Sequence, residues 1–169
     1  MSMQATMSLP TKTSTATPLA AKRSEDTIGT RVWLDEYTFL QSVYHSADNC
    51  SPKFRLPDLI SACVSLVFLG PDPAQCIFSY LHAEMILRDQ NSIRRQEEMW
   101  MPQYQLLLGL QRSPSNCHPH PQFKLDHFTT ACIALVSAGQ DVTHRILEQA
   151  RHNTAERAAR RLHAEPLNQ

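Results

Sequence analysis

Glycine is scarce in this chain: 4 of 169 residues, against 11 prolines. So few glycines argue against a turn-rich barrel or sandwich and point to helices joined by short, stiff connections. Net charge is also missing, because Lys plus Arg and Asp plus Glu each number 16. No global field therefore draws the chain to nucleic acid, anionic membrane or acidic substrate, and any electrostatic role must be local. No window reaches the eighteen or so apolar residues of a membrane span, and the amino end lacks the apolar core of a signal peptide. These absences predict a soluble, cytoplasmic protein with no membrane partner. Five cysteines are an odd number for a disulfide framework, so reduced thiols are expected. Gly-rich phosphate loops, GxSxG, HExxH and paired-carboxylate motifs are absent as well, which predicts a protein that is not an enzyme and needs no cofactor.

What the chain does contain is a duplication. Residues 1–27 are rich in Ser, Thr, Ala and Pro without apolar periodicity, and are expected to form a disordered arm. Beyond them, RVWLDEYTFLQSVYHSADNCSP aligns with EMWMPQYQLLLGLQRSPSNCHP when Trp33 is set over Trp100. After a two-residue insertion in the second copy, FRLPDLISACVSLVFLGPD aligns with FKLDHFTTACIALVSAGQD. About fifteen of about forty positions are identical, including Tyr37/Tyr104, Asn49-Cys50/Asn116-Cys117, Phe54/Phe123, Ala62-Cys63/Ala131-Cys132 and Gly70/Gly139. With two copies only, a pseudo-twofold pair is expected rather than a solenoid. The units are placed at residues 28–92 and 93–169.

The same order of elements is predicted in each unit. A short alternating stretch turns Val32 and Leu34 inward with Arg31 and Trp33 outward, then Met99 and Met101 inward with Glu98 and Trp100 outward. Asp35-Glu36 and Pro102-Gln103 suit the first turn of a helix. Tyr37, Leu40 and Tyr44, with Leu107 and Leu110, continue it at helical spacing. A polar loop leads to a second helix, 56–69 or 125–138, apolar almost all round and therefore central. A third follows, 74–89 or 141–164, the last ending in Arg151, Arg157, Arg160 and Arg161.

Strand, helix, loop and buried helix is the order of the ribbon-helix-helix DNA-binding unit. TRVWLDEYTFLQSV resembles that family's alternating strand running into an acidic helix start, and RLPDLISACV resembles the opening of its second helix. The resemblance implies a mainly α protein with a short two-stranded β-ribbon, built as two tandem ribbon-helix-helix-like repeats that form a pseudo-dimer in one chain. It further implies a double-stranded DNA partner, with the ribbon in the major groove and a role as repressor or as accessory factor in plasmid maintenance or transfer. The implied base readers are Arg31, Trp33, Gln96, Glu98 and Trp100. Lys53, Arg55 and Lys124, near the starts of the buried helices, are the implied phosphate contacts.

Other readings stand beside these. Trp33 and Trp100 either stack on bases or pack within the pseudo-twofold ribbon. Cys63 and Cys132 suit small core positions, whereas Cys117-His118-Pro119-His120 has the look of half a metal site with no second pair to complete it, so no metal is expected. The Arg-rich end serves DNA phosphates, a protein partner, or simply the carboxyl-terminal helix dipole. Another class of function is a helical protein-protein interaction module without nucleic acid, which the neutral charge and Glu98 favour.

Overall fold

The computed structural model describes residues 26–117 and 122–164. The first unit runs β1 (Thr27–Trp33), α1 (Leu34–Tyr44), α2 (Leu56–Phe68) and α3 (Pro73–Ala83), followed by a short 3-10 turn at Met85–Leu87. The second runs β2 (Arg94–Trp100), α4 (Met101–Gln111), α5 (Leu125–Ser137) and α6 (Val142–Ala164). The protein is thus mainly helical with one small two-stranded antiparallel sheet.

β1 and β2 pair from Thr27 opposite Trp100 to Trp33 opposite Arg94, with Thr30 opposite Glu97 at the centre. Each strand passes directly into a helix, and the turn is closed across the ribbon: Leu34 N–H donates to Ile93 O at 3.0 Å and Met101 N–H to Asp26 O at 2.8 Å. Leu34 and Met101 therefore begin helices instead of extending the alternation. The strand also starts inside the segment expected to be disordered. Thr27 is its first residue, and Asp26 binds Arg161 of α6 at 2.6 Å. Residues 1–25 of that arm lie outside the described residues.

α2 and α5 are central because they are apolar on nearly every face. Leu59, Ile60, Ala62, Cys63 and Val64 of α2 are buried, as are Phe128, Ala131, Cys132 and Ile133 of α5. The two helices pack on each other and lie crosswise under the ribbon, α5 beneath β1 and α2 beneath β2. Each is started by the same device: Arg55 N–H donates to Asp58 Oδ2 (3.1 Å), and Lys124 N–H donates to His127 Nδ1 (3.0 Å). This satisfies one end group of each helix from within its own first turn. Burial lowers the His127 pKa, which keeps Nδ1 available as an acceptor.

The polar loops before α2 and α5 close around one asparagine each. Asn49 Nδ2 donates to the carbonyls of Tyr44 and Phe54 (both 3.0 Å), while its Oδ1 accepts from Phe54 N–H (2.7 Å). Asn116 repeats the pattern with Gln111 O, Phe123 O (both 2.9 Å) and Phe123 N–H (2.8 Å).

α3 packs on α5, and α6 on α2. α3 is shorter than the expected 74–89, ending at Ala83 before the 3-10 turn. Asp72 and Asp141 both enter their helices with φ 48°, a left-handed conformation that Asp tolerates better than most side chains. No single helix among the described residues is long and apolar enough to cross a membrane.

Candidate nucleic-acid interface

The strand period puts Ile28, Thr30 and Val32 on the face toward the helices, where Thr30 and Val32 are buried and Thr30 Oγ1 meets Thr129 Oγ1 of α5 at 2.9 Å. Thr27, Gly29 and Arg31 point to the opposite face, together with Glu98 and Gln96 across the ribbon. Arg31 and Gln96 are directly opposed and exposed, and Arg31 Nε approaches Gln96 Oε1 at 3.4 Å. Its terminal guanidinium nitrogens make no hydrogen bond among the described residues. Glu98 Oε2 accepts from Thr27 Oγ1 at 3.2 Å. Gly29 gives Gln96 its room: a Cβ there would come within 3.2 Å of Nε2.

Trp33 and Trp100 share the outward parity but are not on the surface, being 0% and 7% exposed. They stand at the ends of their strands, where the other unit's buried helix rises beside the ribbon. Trp33 Nε1–H donates to Asp126 of α5 (3.2 Å), and its backbone N–H to Thr130 Oγ1 (3.3 Å). Trp100 Nε1–H donates to Asp58 of α2 (2.8 Å), and its backbone N–H to Ser61 Oγ (2.9 Å). Arginines cover the rings. Arg88 and Arg94 lie 4.8 and 4.6 Å from Trp33, and Arg157 lies 3.9 Å from Trp100. The expectation that the tryptophans reach bases is therefore corrected: both are cross-unit packing residues. Strand parity fixes the direction of a side chain but says nothing of what grows over it.

The helix starts sit at opposite ends of the ribbon, α2 beside Trp100 and α5 beside Trp33. Arg55 and Lys124 are exposed there, and neither side chain has an ion pair or hydrogen bond among the described residues. Lys53 differs, its ammonium lying 4.7 Å over the Tyr44 ring. The backbone amides there are less available than the sequence suggested. Pro57 has no N–H, and those of Asp58 and His127 return to the carbonyls of Arg55 and Lys124. Asp58 and Asp126 also bring carboxylates to these ends, answered by Arg157 (3.0 Å from Asp58) and Arg94 (2.8 Å from Asp126).

Arg94 and Arg95 are ribbon cations that the sequence reading missed. Counting back from Trp100 along an antiparallel pair would have found them opposite Trp33 and Val32. Of the remaining residues singled out by sequence, Cys63 and Cys132 are buried, and burial pushes the Cys63 thiol up to about 12 and that of Cys132 higher still. His118 and His120 lie outside the described residues. No group of three potential metal ligands occurs among those described. No family model matches the chain, and no curated protein or solved structure is significantly similar to it.

Proposed function

We propose that this chain is a double-stranded DNA-binding protein of the ribbon-helix-helix class, in which two tandem units of one chain form a pseudo-dimer. More narrowly, it acts as a repressor or as an accessory factor in plasmid maintenance or transfer. The pseudo-dimer is supported by bonds that recur at equivalent positions: the Asn49 and Asn116 loops, the Ser61 and Thr130 contacts to the tryptophan amides, and the two strand-end closures. With Trp33 set over Trp100 the offset is 67, so Thr30 is equivalent to Glu97, the residue it pairs with at the centre of the ribbon. A local twofold axis through that pair accounts for the register.

The observation that carries DNA binding is the exposed Arg31–Gln96 pair on the outer ribbon face, between helix starts that bear Arg55 and Lys124. A two-stranded ribbon fits the major groove, where Arg reads guanine and Gln reads adenine. The cations at either end would meet phosphates on both sides.

The test is fluorescence anisotropy of labelled random-sequence duplexes, followed by selection of a preferred site from the same pool. Binding should weaken steeply between about 50 and 200 mM salt. Arg55→Ala with Lys124→Ala should lower the salt slope by about 2, whereas Arg31→Ala with Gln96→Ala should erase the preference for the selected site. Absence of binding at low salt would overturn the proposal. It would favour an interaction module, for which the exposed Ile86, Leu87 and Ile93 near the junction of the units offer an apolar surface.

A further inference from the structure

Among the buried positions at which the two units differ, one changes a charge that faces an arginine. Glu36 of α1 and Gln103 of α4 occupy equivalent places, 67 residues apart, and both are buried. Arg88 and Arg157, 69 residues apart, each cover the tryptophan of a ribbon end. In the first unit Arg88 turns to Glu36, with Nη1–Oε1 at 2.7 Å and Nη2–Oε2 at 3.0 Å. In the second, Gln103 offers no charge, and Arg157 turns instead to Asp58 at 3.0 Å. The space that the first unit fills with a guanidinium is thereby left open in the second.

That space is a groove of about 300 Å³ between the end of α2, the start of α4 and the face of α6. Its floor is a chain of neutral polar groups. Gln103 Nε2 and Asn153 Nδ2 both donate to Ser65 Oγ at 3.1 Å, and Gln149 Nε2 donates to Asn153 Oδ1 at 2.9 Å. Gln103 Oε1 is buried and has no hydrogen-bond partner among the described residues, although the residue is only 7% exposed. Phe68, Leu69 and Leu106 supply apolar walls. A buried acceptor without a donor is destabilising, so a ligand that supplies the donor gains that interaction on binding.

We propose that this groove binds a small uncharged amphiphile, an apolar chain or ring carrying an amide or hydroxyl that donates to Gln103 Oε1. Charge on the ligand is disfavoured, because the charges that line the groove already have partners: Glu156 faces His152 (3.2 Å) and Arg160 (4.0 Å), and Arg157 is paired with Asp58 (3.0 Å). The volume lies at the small end of ligand sites and matches a compact molecule rather than a protein segment. This inference is independent of DNA binding.

The test uses hexanamide, with hexanoate as the charged analogue lacking a donor, titrated into the full-length nitrogen-15-labelled protein and followed by NMR. Hexanamide should produce saturable shifts at the Gln103 side-chain amide, Ser65 and Leu106, and hexanoate should bind at least about tenfold more weakly. Gln103→Glu should draw Arg157 across as Glu36 draws Arg88, closing the groove and weakening hexanamide about tenfold or more. Leu106→Trp, on a wall already 40% exposed, should fill the groove with the same result even if Gln103→Glu disturbs folding. No saturable shift at Gln103, equal binding of hexanoate, or undiminished binding by the Leu106→Trp variant would overturn the proposal.

Discussion

Single side chains on the ribbon divide into those that hold it and those that face out from it. Removing an indole N–H by Trp33→Phe or Trp100→Phe deprives Asp126 or Asp58 of a donor while keeping most of the ring. Each change should cost about 1–3 kcal/mol in urea unfolding, whereas Arg31→Ala should stay within about 0.5 kcal/mol. Glu97 contributes in the other direction. Burial, with the neighbouring Glu98 charge, raises its pKa above the usual carboxylate value. An acid with a raised folded pKa loses stability as pH rises through its titration, so at neutral pH the charged Glu97 opposes folding. Glu97→Gln should therefore raise the melting temperature at pH 7, and the gain should shrink as pH falls below the carboxylate range. The sequence disclosed which ribbon residues were equivalent, but not which were covered. The cover comes from Arg88, Arg94 and Arg157, all of which lie more than fifty residues from the tryptophan they shield.

At the level of elements, the sequence likeness between the two halves made the order of strand and helices legible. The α2 and α5 boundaries fell within one residue of the expected 56–69 and 125–138, because a helix apolar on all faces has little choice of place. α3 was overestimated because Met85 and Leu87 continue an apolar pattern that the backbone follows only as a 3-10 turn. Loop chemistry was less legible. The Asn-Cys identity drew notice to the thiols Cys50 and Cys117, which are exposed. The organising residues are their neighbours Asn49 and Asn116, whose amides mimic backbone groups to close a loop. Asn49→Ala or Asn116→Ala strands three backbone groups, two of them buried, and should cost about 2–4 kcal/mol each by chemical denaturation.

Across the whole molecule the units are interlaced. β1 lies on α5, β2 on α2, and the two tryptophans anchor in the opposite unit. Such an arrangement should unfold in one transition, with far-UV circular dichroism and tryptophan fluorescence giving the same midpoint. Two separated midpoints would show units that are stable alone. Interlacing also bears on synthesis. The strand that begins at Thr27 has no partner until β2 leaves the ribosome, and no bed until α5 follows. For about seventy residues of elongation the nascent chain carries an unpaired strand, and the apolar α2 is made well before α5 can pack on it, so the chain is a natural client for chaperones that shield such surfaces.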